Sequence, residues 1–153
     1  MAQNTQIDPL TAPLQQLQMY QQRLQEDIET LTTSYASLRT VQAKYNDCLD
    51  SLKVITSENR GKTVLVPLTN SLYVPGELSD VESVIVDVGT GYFVDKPIPD
   101  AKDYYKRKVD YIQTNLNGLQ GTITEERKKL TDISELIALR VEMQRKQAAE
   151  TKK

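Results

Sequence analysis

The sequence predicts a mainly α-helical α+β fold: an antiparallel two-helix coiled-coil hairpin with two small β-hairpins inserted between the helices. Three observations support it. Apolar residues recur every three or four positions in the first half, the same spacing returns in the last third, and between them the period changes to two. We expect a single domain over 1–153, with a first helix over 12–58, two β-hairpins over 62–96 and a second helix over 99–148.

The first helix carries a seven-residue repeat of apolar side chains, which is typical of a coiled coil. One seam position holds Leu17, Leu24, Leu31, Leu38, Tyr45 and Leu52, and the other holds Leu14, Gln21, Ile28, Tyr35, Gln42 and Leu49. Thr11 and Pro13 supply the start, since proline is tolerated in the first helical turn. Asn59-Arg60-Gly61 supplies the stop.

The second helix repeats this pattern after Pro99 and Asp100, which mark its start. Its seam consists of Val109, Ile112, Leu116, Leu119, Ile123, Leu130, Ile133 and Ile137, interrupted by Glu126 and Arg140. Pairing Leu52 with Val109 sets an antiparallel register. The same register places Leu49 opposite Ile112, Gln21 opposite Arg140 and Tyr35 opposite Glu126.

The segment between the helices predicts four short strands. Their apolar residues form the expected subunit-assembly surface: Val64, Leu65, Val66, Leu68, Leu72, Tyr73, Val74, Leu78, Val84, Ile85, Val86, Val88, Tyr92, Phe93 and Val94. Four short strands from one chain leave open edges and an uncovered face, and such edges pair with other chains. We therefore expect several chains to close their strands into a shared multi-subunit β-barrel platform.

Gly89, Thr90 and Gly91 form the expected turn of the second hairpin, as a type II′ turn with Gly89 at its first central position. A phosphate-binding loop is the alternative interpretation of this glycine pair. That loop needs a third glycine and a helix directly after it, whereas a strand follows here.

Apolar residues off the seam concentrate near the far ends of both helices, where polar residues weaken the seam. The predicted client-binding tip consists of Leu14, Leu17, Met19, Tyr20, Leu139, Val141 and Met143. An exposed apolar patch marks a binding site. The alternative is that these residues are scattered surface hydrophobes, which are common in soluble proteins.

The composition argues against several classes of function. The net charge is −2 with dispersed basic residues, so nothing indicates a nucleic-acid partner. No apolar run approaches the ~20 residues of a membrane span, and the N-terminal segment does not look like a secretory signal. The chain has no histidine, the commonest general base and metal ligand. Cys48, the only cysteine, fits a small buried hydrophobe in a reducing compartment. We expect no enzyme activity, no catalytic residue, no metal and no cofactor.

Two stretches carry a resemblance to a known family. "LVPLTNSLYVPGEL" followed by "VIVDVGTGYFVDK" resembles the linker of α-type prefoldin subunits, which carry two β-hairpins where β-type subunits carry one. "KYNDCLDSLK" narrows the resemblance to one group of eukaryotic α-type subunits. The resemblance covers residues 13–145, and its specific motifs are "DVGTGYFV" and "SLYVPG".

The resemblance implies a hexameric co-chaperone that uses no ATP. This chain would join one further α-type and four β-type subunits through the β-barrel platform. The coiled-coil tips would hold unfolded actin, tubulin and other nascent proteins and deliver them to the cytosolic group II chaperonin. It implies a cytoplasmic location and is compatible with a nuclear pool.

Two other hypotheses stay open at this point. The chain could be a structural coiled-coil adaptor that dimerises through its β insert. The second hypothesis is an enzyme or a nucleotide-binding protein built around Gly89–Gly91, and the sequence supports it least.

Overall fold

The computed structural model describes residues 12–150, and the side chains of residues 12–146. Helix α1 spans Leu14–Val54 and α2 spans Ile98–Glu150. Between them lie a 3-10 turn at Ser57–Asn59 and four strands: β1 (Thr63–Thr69), β2 (Leu72–Glu77), β3 (Ser83–Gly89) and β4 (Tyr92–Pro97). The predicted fold class is confirmed. Thr11, part of the predicted helix start, lies outside the described residues.

The described residues fall into two units. The coil unit comprises residues up to Ser37 together with those from Leu116 onward, and the hairpin unit comprises Leu38–Asn115. In the coil unit, the predicted seam residues Leu24, Ile123 and Ile133 are buried, as the heptad pattern requires.

In the hairpin unit, α1 ends at Val54, four residues before the expected end of the first helix at 58. The Asn59 side-chain amide donates to the Val54 carbonyl, one of those left without a helical partner. Gly61 then adopts a φ of 77° and donates its N–H to the Leu78 carbonyl at 2.8 Å. A positive φ favours glycine, so Gly61 turns the chain from helix into β1.

The predicted helix register is wrong by close to one heptad. In the coil unit, Gln21 Nε2 donates to Ser134 Oγ at 2.8 Å, where Arg140 was expected. In the hairpin unit, Gln42 Nε2 donates to Gln113 Oε1 at 2.8 Å, a contact that the expected register would separate. Within each unit the two helices are nevertheless antiparallel, as predicted.

The cause of this error lies at Leu52. It packs with Ile98 and Ala101, at the very start of α2, and not with Val109 further along that helix. Registers one heptad apart bring equivalent seam positions together, so the periodicity alone does not select between them. The start of α2, fixed by the chain leaving β4, selects the register.

The two β-hairpins are internal repeats of one another. In each, strands pair antiparallel with a register shift just before the turn, between Pro67 and Thr69 in the first and between Asp87 and Gly89 in the second. The equivalent residues are Leu65 and Ile85, Val66 and Val86, Tyr73 and Phe93, and Val74 and Val94. Neither hairpin pairs with the other: each is a separate two-stranded sheet.

The turn of the second hairpin differs from the predicted type. Gly89 pairs with Tyr92, which makes Thr90 and Gly91 the central residues. Their φ angles are 52° and 78°. Positive φ at both central positions is the pattern of a type I′ turn, so the type II′ prediction is wrong. The register shift ahead of Gly89 is what moves the turn by one residue.

Candidate interaction surfaces

The strands present most of their apolar side chains to solvent. Exposed members of the predicted assembly surface are Leu65, Val66, Leu68, Leu72, Tyr73, Val74, Ile85, Val88, Tyr92, Phe93 and Val94. Val64, Leu78 and Val84 are half-buried. Two-stranded sheets of this kind are at best marginally stable alone, and every strand in them is an edge strand. The hairpins therefore have both apolar surface and backbone groups available for another chain.

Val86 is the exception in the predicted assembly surface, because it is only 1% exposed. It packs against Leu52, Ile98 and Ala101, which we call the helix junction. Ile55 and Val84 contact the same cluster. Alternation along a strand divides its side chains between two faces. On this face of the β3–β4 hairpin, Val86 and Val84 of β3 thus pack on this chain's own helices, whereas Val94 of β4, the cross-strand partner of Val86, is exposed. The sequence pattern did not reveal this difference.

A small polar network fixes the entry into β3. Asp80 Oδ1 accepts the Glu82 N–H at 2.8 Å, and its Oδ2 accepts the Ser83 hydroxyl at 3.1 Å. The backbone N–H of Glu82 is the main reason that the pKa of Asp80 is lowered, followed by the Ser83 hydroxyl. Arg60 Nη2 lies 2.9 Å from Glu82 Oε1, so the segment before β1 is tied to the segment before β3.

Three tyrosines lie near the helix junction. The ring of Tyr105 is 5.9 Å from that of Tyr45 and 5.4 Å from that of Tyr104, measured between centroids. Burial is the main cause of the raised pKa of Tyr105, and the neighbouring Cys48 adds to it. Cys48 itself is half-buried, so its thiol is less enclosed than the sequence predicted. Tyr104 carries the Lys108 ammonium 5.5 Å from its ring centroid, a favourable cation–π distance.

In the coil unit, the predicted tip residues separate into exposed and buried groups. Met19 is 72% exposed and Met143 62% exposed, and Leu139 is also exposed. Leu14, Tyr20 and Val141 are half-buried.

Leu17 is completely buried, in a cluster with Ala12, Leu24 and Ile133. It is therefore a core residue that holds the helix ends together, and it does not lie on the exposed surface that we expected. Arg140 Nη1 donates to the Ala12 carbonyl at 3.1 Å, so this polar seam residue closes the cluster at its end. Met19, Leu139 and Met143 remain as the exposed apolar side chains near the helix ends.

The described residues offer surfaces for contact with other chains. Within residues 12–146, no three His, Cys, Asp or Glu side chains are grouped so that they could hold a metal ion. None of the described helices combines the length and apolar character that crossing a bilayer requires. Gly89 and Gly91 belong to a strand-to-strand turn, with Gly91 as one of its two central residues. A phosphate-binding glycine loop opens instead into a helix.

Comparison with known proteins agrees with this architecture. A family model described as "Prefoldin subunit" matches residues 24–147. The chain is 42% identical over 142 residues to prefoldin subunit 5 of Homo sapiens, covering 93% of this chain and 91% of the human one. It is also 42% identical over 122 residues to a probable prefoldin subunit 5 of Schizosaccharomyces pombe, covering 78% and 79% of the two chains. The narrower resemblance carried by "KYNDCLDSLK" is confirmed, since both relatives belong to one subunit group.

A solved structure has the same fold. A chain of filamentous PFD from Methanocaldococcus jannaschii, determined by cryo-EM, matches with a TM-score of 0.66. The match covers 75% of this chain and 95% of that one, at 24% sequence identity.

Proposed function

The chain belongs to the prefoldin family of chaperone subunits, and from that premise we propose that it is one arm of a hexameric co-chaperone that uses no ATP. The observation that carries the proposal is the pair of β-hairpins with exposed apolar faces and unpaired edges. Such surfaces need other chains to cover them. Its partners would be other prefoldin subunits, one α-type and four β-type, joined in a β-barrel platform.

We propose that clients are held at the helix ends of the coil unit, where Met19, Leu139 and Met143 are exposed. Methionine is flexible and polarizable, so it adapts to irregular apolar partners such as an unfolded chain. Each contact would be weak. Several arms that contact the same client raise the effective concentration of binding groups, and the client is then held by avidity.

Unfolded actin, tubulin and other nascent proteins are the proposed clients, and a group II chaperonin in the cytoplasm is the proposed recipient. Holding an unfolded chain lowers its free concentration and slows its aggregation. Release then needs only a competitor with higher affinity. The mechanism needs neither nucleotide hydrolysis nor a cofactor, and a nuclear pool of the complex would work by the same physics.

The assembly part of the proposal is tested by native mass spectrometry of the complex purified through a tag on this chain. We expect a particle of six small subunits. A homodimer would refute the hexamer and favour the alternative, a coiled-coil adaptor that dimerises through the hairpins.

The client part is tested with a triple variant, Met19→Ser, Leu139→Ser and Met143→Ser, in the assembled complex. Each residue is exposed, so the coil should remain folded while capture of unfolded actin weakens. The matched control is Val41→Ser, Val54→Ser and Tyr111→Ser, which removes three exposed hydrophobic side chains from the hairpin-unit helices. Equal loss of capture in both variants would contradict a specific tip. Because other arms also hold the client, the measurement uses a complex whose other arms have weakened tips.

A further inference from the structure

We infer that a groove on α2, in the hairpin unit, binds a short acidic segment of a partner protein through ion pairs. The groove has a volume of about 490 Å³ and is lined by Tyr104, Arg107, Lys108 and Tyr111; we call it the tyrosine groove. The inference goes beyond the proposed function, because none of these residues belongs to the strand surface or to the exposed helix ends.

The helical spacing of the lining residues makes the tyrosine groove one continuous surface. They follow each other at steps of three, one and three residues, which places all four on one face of α2. Arg107 and Tyr111 are exposed, and Tyr104 and Lys108 are half-buried. The two tyrosines are about 10 Å apart along the helix axis, at about 1.5 Å per residue. An extended peptide rises about 3.3 Å per residue, so about three of its residues fit between them.

The charge at the tyrosine groove is positive and is not neutralised by a contact within the described chain. The lining contributes two cations and no carboxylate. A third cation comes from β4: the ammonium of Lys96 lies 6.0 Å from the Tyr104 ring centroid, and that of Lys108 lies 5.5 Å from it. Among the described residues, none of Lys96, Arg107 and Lys108 forms an ion pair with a carboxylate. Like charges around one ring repel each other, so an anionic segment is the complementary partner.

A neighbouring groove favours an acidic peptide over a nucleic acid as the partner. It shares Arg107 with the tyrosine groove, and its lining residues are Lys96, Asp100, Asp103, Lys106, Arg107 and Asp110. The three aspartates border the cations and limit the length of the positive surface. A nucleic acid carries a phosphate on every nucleotide, so its backbone would be repelled where it passes the aspartates.

A short acidic segment, in contrast, can end within the tyrosine groove. The guanidinium of Arg107 matches the geometry of a carboxylate and can bind it through two parallel hydrogen bonds. The ammonium of Lys108 supplies a second positive charge one residue further along the helix. Tyr111 borders the groove without a charge, so the affinity depends on the cations more than on this ring.

The first test measures the affinity of a fluorescein-labelled oligoglutamate peptide for the complex purified through a tag on this chain. Fluorescence anisotropy at low salt is the assay, since salt screens exposed ion pairs. Oligoglutamate has no apolar side chains, so contacts with the exposed helix ends contribute little. The double variant Arg107→Gln and Lys108→Gln should raise the Kd about fivefold or more, because two ion pairs are lost. Glutamine is a good helix former, so α2 should stay intact.

The matched control is Arg127→Gln and Lys128→Gln, an adjacent and exposed pair of cations on the same helix. It changes the net charge by the same amount, so an equal rise of the Kd in both double variants would overturn the inference. No binding of oligoglutamate to the wild-type complex would also overturn it. A single-stranded oligodeoxynucleotide that binds more tightly than oligoglutamate, and depends on Arg107 and Lys108, would assign the groove to nucleic acid instead.

The second test uses the wild-type chain and therefore does not depend on how a variant folds. Lysine acetylation rates are measured by mass spectrometry with and without saturating oligoglutamate. Acetylation of Lys96 and Lys108 should slow about threefold or more, because the bound peptide occupies their ammonium groups. Acetylation of Lys128 should change little. Unchanged rates at Lys96 and Lys108, or equal slowing at all three lysines, would overturn the inference. Neither test uses an unfolded client or counts subunits, so this inference and the proposed function can fail separately.

Discussion

Leu17→Ala should loosen the helix ends of the coil unit far more than Met19→Ala. Leu17 is completely buried among Ala12, Leu24 and Ile133, whereas Met19 is 72% exposed. Replacing a fully buried leucine by alanine costs about 3 kcal/mol, the lost transfer free energy plus the cavity left behind. Replacing an exposed side chain costs within about 0.5 kcal/mol. Both variants introduce alanine into the same helix, so the change in helix propensity is similar in the two.

Hydrogen exchange of backbone amides is the appropriate assay, since it reports local opening in the segment concerned. At about 1.4 kcal/mol per factor of ten, the Leu17→Ala cost predicts exchange about 100-fold faster in peptides from the start of α1 and from α2 around Ile133. Met19→Ala should change the same peptides less than about threefold. If the two variants exchange at similar rates, Leu17 is not the packing centre of the coil unit.

Two further predictions concern the β3–β4 hairpin. The pKa of Asp80 is lowered in the folded chain, so the ionised carboxylate contributes to the stability of the fold. This contribution to stability is fully present above the ordinary carboxyl pKa and is lost as the pH falls through the lowered pKa. At neutral pH the backbone amides of β3 should therefore exchange more slowly in the wild-type chain than in Asp80→Asn. In strong acid the two chains should exchange at the same rate. A difference in exchange rate that does not change with pH would contradict this prediction. Thr90 has a φ of 52°, which disfavours a β-branched residue. Thr90→Asn creates the Asn-Gly pair that type I′ turns prefer. The free energy of unfolding of the purified complex, measured in urea, should therefore rise by about 0.5–1 kcal/mol. Asn70→Thr, in the turn of the first hairpin, is the control. A decrease on Thr90→Asn would show that the turn is not type I′.

The sequence predicts the seam of the coiled coil well because burial and period are directly linked in a helix. Leu24, Leu52, Ile112, Leu116 and Ile123 are all buried, and all were assigned to the seam from spacing alone. The register was not predicted correctly, since a heptad pattern matches itself after a shift of one heptad. The contact that selects the register, Leu52 against the start of α2, joins residues far apart in the sequence.

The strand surfaces show a different limit of sequence analysis. Alternation divides Val86 and Ile85 between two faces, but it does not say which face is covered. The structure covers Val86 and leaves Ile85 exposed. The same limit applies to Leu17, where seam position and an apolar neighbourhood fit a core residue and a surface patch equally well.

The exposed faces and edges of the two β-hairpins also affect the steady-state amount of this chain in a cell. A copy that has not yet met its partners displays a run of unpaired strand edges and apolar side chains, the features that quality-control proteases and aggregation both act on. Synthesis beyond the supply of partner subunits would then add little to the standing pool. The gene dosage of the partners, more than the expression of this chain, would set its abundance.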